Sequence, residues 1–162
     1  MKRIEFGELK IGEIARHNLM DVCHTNWASN GPKVKQFEKE WGKLFGFKEN
    51  VAMSSGTDAC INSCLALYDL KKAKRGDEII VPALSFIATS NAVRAAGFVP
   101  KFVDIKKETL NIDESKIEKA ITNKTRAIMV VHTMGRPAEM RTICDIAKKH
   151  NLIVIEDACE AH

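Results

Sequence analysis

Four short stretches hold residue types able to do chemistry. The first is Ser54-Ser55-Gly56-Thr57-Asp58. Glycine lets the backbone come close to a ligand, and a helix starting here would aim unpaired N–H groups at an anion, with hydroxyls beside them. The stretch reads as a phosphate cradle or as a plain N-cap turn with Ser55 or Thr57 as the cap. It lacks the Gly-Lys-Ser/Thr of a P-loop and the Gly-x-Gly-x-x-Gly of a dinucleotide site. The second stretch is Pro82-Ala83-Leu84-Ser85-Phe86, whose phenylalanine either stacks on a planar ring or fills the core. The third, His132-Thr133-Met134-Gly135-Arg136-Pro137, offers a histidine as general base, ring-packing group or structural residue, followed by turn formers. The fourth is Glu156-Asp157-Ala158-Cys159-Glu160-Ala161-His162.

Acids directly behind an apolar run are costly to bury without a partner. Alternation along a strand sends Glu156 and Asp157 to opposite sides, so at most one of them faces a site. Asp157 and Glu160 share a side if a turn begins there. Metal binding by Asp157, Glu160 and His162 is the competing reading. Cys60 and Cys64 can share a helix face, but no Cys-x-x-Cys pair or histidine cluster accompanies them. They read as small core residues, and no metal site is expected.

The elements that must position these stretches alternate. Apolar spacing predicts helices over Val34–Phe45, Thr57–Tyr68, Ser85–Ala96, Asp113–Ile121 and Pro137–His150. The inward residues expected are Cys60, Ile61, Cys64, Leu65 and Tyr68 in the second helix, and Met140, Ile143, Cys144 and Ala147 in the last. Asp113 is the expected N-cap of its helix, Gly97 a helix stop, and Pro137 a first-turn proline. Strands are expected at Val51–Met53, Glu78–Val81, Val99–Val103, Arg126–Val131 and Leu152–Ile155. Residues 1–32 read as an N-terminal arm with one helix near Leu9–Val22. Alternation of this kind predicts an α/β domain, a mostly parallel sheet with helices on both faces. In such sheets ligands gather where strands end, just after Met53, Val81, Val131 and Ile155.

Composition narrows the function classes. With 45% apolar and 28% charged residues, the chain has a globular make-up and not that of a disordered, collagenous or coiled-coil protein. The longest apolar run, Ile79–Leu84, falls far short of the roughly 18 residues a membrane helix needs. A net charge of +4 spread along 162 residues argues against nucleic acid as the main partner. An odd set of five cysteines and no secretory signal point to a reducing, cytoplasmic compartment.

Taken in order, several pieces form a pattern. They are Gly31-Pro32 with Phe37-Glu38, Ser55-Gly56-Thr57-Asp58-Ala59, Gly76-Asp77-Glu78-Ile79-Ile80-Val81-Pro82 and Ser85-Phe86-Ile87-Ala88-Thr89. Val103-Asp104, Val131 through Pro137 and Glu156-Asp157-Ala158 complete it. The pattern resembles the DegT/DnrJ/EryC1/StrS family of nucleotide-sugar aminotransferases dependent on pyridoxal 5'-phosphate (PLP), from about Gly31 onward. The resemblance implies the large domain of a fold-type I enzyme, here a partial one over residues 33–162. It implies that Gly56, Thr57 and Asp58 bind the cofactor phosphate, that Phe86 stacks on its ring, and that Asp157 pairs with its pyridine nitrogen. Glu160 occupies a position near the cofactor's phenolic oxygen that is often glutamine in the family. A homodimer, an amino-acid donor such as glutamate and a nucleotide-sugar acceptor are also implied. The Schiff-base lysine is expected beyond His162, so the chain reads as the N-terminal portion of a longer enzyme and as inactive alone. A dehydratase relative with histidine in place of that lysine, or a non-catalytic protein of the same fold, remains an alternative.

Overall fold

The computed structural model describes residues 10–161, and Leu9 and His162 lie outside the described residues. The chain divides into two compact units, Met1–Ala52 and Met53–His162.

In the first unit, helix α1 spans Glu13–Thr25 and helix α2 spans Pro32–Phe45. Proline at the first turn of α2 needs no hydrogen-bond partner there, and Gly46 ends the helix at φ 74°. Lys33 ties the two helices by bonding Asn18 at 2.7 Å and Asp21 at 3.1 Å. Phe37, Trp41, Phe45 and Phe47 pack ring to ring in sequence. Val51–Met53, expected as a strand, is not one. Val51 and Met53 are exposed, and the N–H of Ala52 donates to Glu38 at 2.9 Å instead of to a neighbouring strand.

In the second unit, α3 spans Gly56–Leu65 and a one-turn α4 spans Leu67–Leu70. The single helix expected over Thr57–Tyr68 breaks at Ala66. Leu67 is buried in the core while Leu65 turns to solvent, contrary to expectation. Then follow β1 (Glu78–Pro82), α5 (Ile87–Ala95), β2 (Val99–Val103), α6 (Glu114–Ala120), β3 (Thr125–Val131), a 3-10 turn (Thr133–Gly135), α7 (Met140–Lys149) and β4 (Ile153–Asp157). Asp113 caps α6 by accepting from Ser115, as expected. Helix α7 starts three residues after Pro137, so that proline lies outside its first turn, and Cys144 is exposed. The N–H of Ala138 donates to His132 Nδ1 at 3.2 Å, in the stretch between Pro137 and the helix.

Among the described residues the four strands form one parallel sheet in the order β2-β1-β3-β4, as the alternation predicts. Successive residues of the central strands feed opposite faces. Ile79, Val81, Ala127 and Met129 join Cys60, Cys64, Leu67, Ala92 and Val93 in one core. Ile80, Ile128 and Val130 join Ile117, Ile143 and Ala147 in the other. Each fully buried aliphatic side chain here contributes about 1.5–3 kcal/mol. The chain leaves β1 toward β2 in one direction and β3 toward β4 in the other. In open parallel sheets, ligands gather at the carboxyl ends of the strands where such a divergence occurs.

Candidate functional site

Asp157 is the last residue of β4 and is 8% exposed. Its Oδ1 accepts the N–H of Cys159 at 3.1 Å. Its Oδ2 lies 3.4 Å from Thr89 Oγ1 on α5 and 3.8 Å from Cys60 Sγ on α3. Among the described residues no lysine or arginine pairs with it. Three sequence-distant segments thus meet at one carboxylate, and its neighbours are a hydroxyl, a thiol and an amide.

The turn before α3 is built by its own hydroxyls. Ser55 is the N-cap, accepting from the Asp58 N–H at 3.1 Å. The Asp58 carboxylate in turn accepts from Ser54 and from Ser55, the latter at 3.0 Å. Those hydroxyls, Ser54 foremost, hold Asp58 below the usual carboxylate range. Asp58 is therefore occupied within the turn, through both side chain and N–H. The N–H groups of Gly56 and Thr57 precede the first intrahelical bond, which Ala59 makes to Ser55. Both residues are exposed. A Cβ on Gly56 would stand 2.7 Å from Cys159 Sγ, so a side chain here crowds that sulfur where the turn closes on the end of β4.

Phe86 forms the N-cap position of α5 and is 72% exposed, so it is not the core residue that sequence alone allowed. Glu160 lies near the same edge, but its Oε2 accepts the N–H of Met134 at 2.6 Å. It thereby clamps the turn after β3, where Met134 has φ 55° and Gly135 φ 77°.

His132 turns out to be structural. It is 8% exposed, its Nδ1 accepts from Ala138, and its Nε2 lies 3.1 Å from Glu156 Oε2. Accepting at Nδ1 places the proton of the neutral ring on Nε2, which then donates to Glu156. Glu156 and Asp157 do face opposite sides, as strand geometry requires. Among the described residues no three His, Cys, Asp or Glu side chains cluster to hold a metal ion.

Sequence reasoning singled out neither Thr89 nor Asn111 as a site residue. Buried Asn111 accepts the N–H of Thr133 at 2.9 Å and donates to the carbonyl of Arg136 at 2.8 Å, pinning the loop after β3. Nothing in its local sequence signals this, because both partners lie more than twenty residues away.

The sequence profile of the DegT/DnrJ/EryC1/StrS aminotransferase family matches residues 10–162. The chain belongs to this family. Within it, the chain is 44% identical over 144 residues to a 3-oxo-glucose-6-phosphate:glutamate aminotransferase of Bacillus subtilis, covering 89% of this chain and 32% of that protein. It is 41% identical over 142 residues to a GDP-4-keto-6-deoxy-D-mannose 3-dehydratase of Yersinia pseudotuberculosis, covering 86% and 36%. Among solved structures it superposes on an E. coli GDP-4-keto-6-deoxy-D-mannose-3-dehydratase with bound hydrated PLP. The TM-score is 0.83 at 35% identity, covering 92% of this chain and 39% of that one. The chain thus spans well under half the length of these DegT/DnrJ/EryC1/StrS relatives, and its sheet has the fold of fold-type I PLP enzymes.

The donor set suits PLP. A glycine turn with free N–H groups fits a phosphate, an exposed aromatic fits a ring face, and a buried carboxylate with no cationic partner fits a protonated ring nitrogen.

Proposed function

We propose that the whole protein carrying this chain is a PLP-dependent aminotransferase. It moves an amino group from an amino acid, glutamate, to a keto group of a nucleotide-linked sugar. The observation that carries this reading is Asp157, a buried carboxylate without a cation among the described residues, at the sheet edge that also holds Gly56 and the start of α5. The named activity of the B. subtilis relative supports the glutamate donor.

Bound there, PLP supplies a ring able to accept electrons from the substrate carbon next to nitrogen. The chain's own residues do the rest. The N–H groups of Gly56 and Thr57, with the Thr57 hydroxyl, hold the phosphate at the positive end of α3. Asp58 shapes that turn without touching the phosphate. Phe86 presents its face to the ring. Asp157 keeps a proton on the ring nitrogen by Coulombic attraction in a site poor in water. Glu160 holds the loop after β3, so its negative charge is spent on the Met134 N–H and not on the cofactor's phenolic oxygen.

The protein works in the cytoplasm as a homodimer. No disulfide occurs among the described residues, and the exposed apolar side chains of α1 and α2, such as Leu19, Met20 and Leu44, suit burial against a second subunit. Among the described residues no helix is long and apolar enough to cross a membrane.

The 41% identity to a 3-dehydratase supports a second reading, a dehydratase with histidine at the lysine position. One experiment separates them. The whole protein is given PLP, glutamate and a nucleotide-linked keto sugar. An aminotransferase yields amino sugar and 2-oxoglutarate in equal amounts, while a dehydratase yields a deoxy sugar without retained nitrogen. Neither product, together with no cofactor absorbance, would leave a non-catalytic protein.

A further inference from the structure

Thr89 lies one turn into α5 and is 1% exposed. Its N–H donates to the carbonyl of Phe86 at 3.1 Å. Its Oγ1 lies 3.4 Å from Asp157 Oδ2 and 2.6 Å from Ser85 Oγ. The same residue is therefore tied through its backbone to the exposed aromatic and through its hydroxyl to the buried carboxylate.

The direction of these bonds follows from the groups themselves. A threonine hydroxyl has one hydrogen to give, and a carboxylate can only accept. The Thr89 proton goes to Asp157, so the Ser85 hydroxyl donates to Thr89. The chain runs Ser85 to Thr89 to Asp157. Cys60, at 3.8 Å, adds a weaker S–H donor to the same oxygen. The Cys159 N–H occupies Oδ1 from the other side and leaves that oxygen a free lone pair. Branching at Cβ restricts Thr89 to few rotamers within a helix, so the hydroxyl stays aimed.

We propose that Thr89 is a positioning residue that fixes Asp157 and Phe86 relative to each other, so that one cofactor ring meets both. This rests on the PLP reading above. A merely structural threonine would satisfy a buried oxygen and leave the cofactor's properties alone.

The test compares Thr89→Val, which keeps the shape and removes the hydroxyl, with Thr89→Ser, which keeps the hydroxyl. Three quantities are read in the whole protein: the pH at which the absorbance of bound PLP reports loss of the ring-nitrogen proton, the Kd for PLP, and the Tm without cofactor. In Thr89→Val the absorbance transition moves about one pH unit lower, a tenfold loss in proton affinity. The Kd for PLP rises about threefold to tenfold, the range for losing one hydrogen bond to a charged group that is already long. Thr89→Ser stays within about twofold of wild type on both counts, because the donor survives. If Thr89→Val does not fold, Ser85→Ala removes the outer donor, and a smaller shift in the same direction is expected. An unmoved transition and Kd, with only a lower Tm, would overturn the role of Thr89 while leaving the PLP reading intact. A wild-type protein that shows no PLP absorbance at all would overturn both.

Discussion

The thiol of Cys60 lies 3.8 Å from the carboxylate of Asp157, though 97 residues separate them in the chain. The contact joins the second turn of α3 to the end of β4. Burial, together with the nearby carboxylate, pushes the Cys60 thiol up to about 12. Burial alone takes Cys64 to about 12 as well. Both therefore remain protonated and unreactive at neutral pH, because the thiolate is the nucleophile. Brief alkylation of the native protein followed by mass spectrometry should label exposed Cys23 and Cys144 first. Cys60 and Cys64 should react only after denaturation. Early labelling of Cys60 would contradict the packing described for Asp157.

Asp157→Asn should separate binding from turnover in the whole protein. Asparagine nearly preserves shape and hydrogen bonding, and the turn at Gly56 and Thr57 is untouched, so PLP affinity should fall only modestly. The negative charge is lost where it matters most, in the transition state, so turnover should drop about 10²-fold or more. If Asp157 served only as a local cap, the variant would lose about 1 kcal/mol of stability and turn over normally. Steady-state kinetics and a melting curve distinguish the two outcomes.

Gly56→Ala places a methyl group 2.7 Å from Cys159 Sγ. Crowding of this kind costs about 1–3 kcal/mol unless the neighbour moves. The variant should melt lower and bind PLP more weakly. Adding Cys159→Ala should recover much of the stability, since the clash is with that sulfur. No recovery in the double variant would mean that the clash is not what the methyl group costs.

Glu160 acts through an accepting oxygen on the Met134 N–H. Glutamine retains such an oxygen and alanine does not. Amide hydrogen exchange at Met134 should stay slow in Glu160→Gln and accelerate in Glu160→Ala, by about tenfold for a lost bond worth about 1.5 kcal/mol. Equal protection in both variants would remove the clamp from the account.

Asp77 is 7% exposed and accepts from the Lys74 N–H at 2.9 Å and from Arg126 Nε at 2.7 Å. Burial pushes its carboxyl up, but the Lys74 and Arg126 bonds outweigh it and hold the group below its ordinary value of 3.8. A carboxyl lowered in the folded state adds stability at pH values above the unfolded value. That stability is lost as pH falls through the folded value. The protein should therefore weaken on the acid side, below about pH 4. Arg126→Met should cost about 1–3 kcal/mol at pH 7 and flatten this acid limb. Denaturant midpoints from pH 7 to pH 3 measure both effects. An acid limb as steep as wild type would exclude Asp77 as its source.

The parallel sheet was legible because a strand buried on both faces must be apolar at every position, and Ile79–Val81 and Ala127–Val131 are. Helix caps were legible wherever a side chain bonds within its own turn, as Asp113 and Ser55 do. Expectations failed where a distant group outbid the local rule. Val51–Met53 has strand-forming residues but spends an N–H on Glu38. Pro137 looked like a first-turn proline, but α7 begins only at Met140, and the Ala138 N–H goes to His132. The helix over Thr57–Tyr68 breaks at Ala66, and Leu67, not Leu65, reaches the core.

The sequence by itself determined the fold class, the family and the residue types of the candidate site, since all three reside in local patterns in a set order along the chain. It also determined that Glu156 and Asp157 part to opposite sides, because a strand alternates. Only the tertiary structure decided which groups surround each of them. Asp157 meets Thr89 and Cys60, Glu156 meets His132, Glu160 turns to Met134, and Asn111 pins the loop after β3. Each of these pairs spans at least 22 residues, and hydrogen bonds at that separation depend on strand order and register. No local propensity encodes them, so they appear only once the strands have paired and the helices have packed.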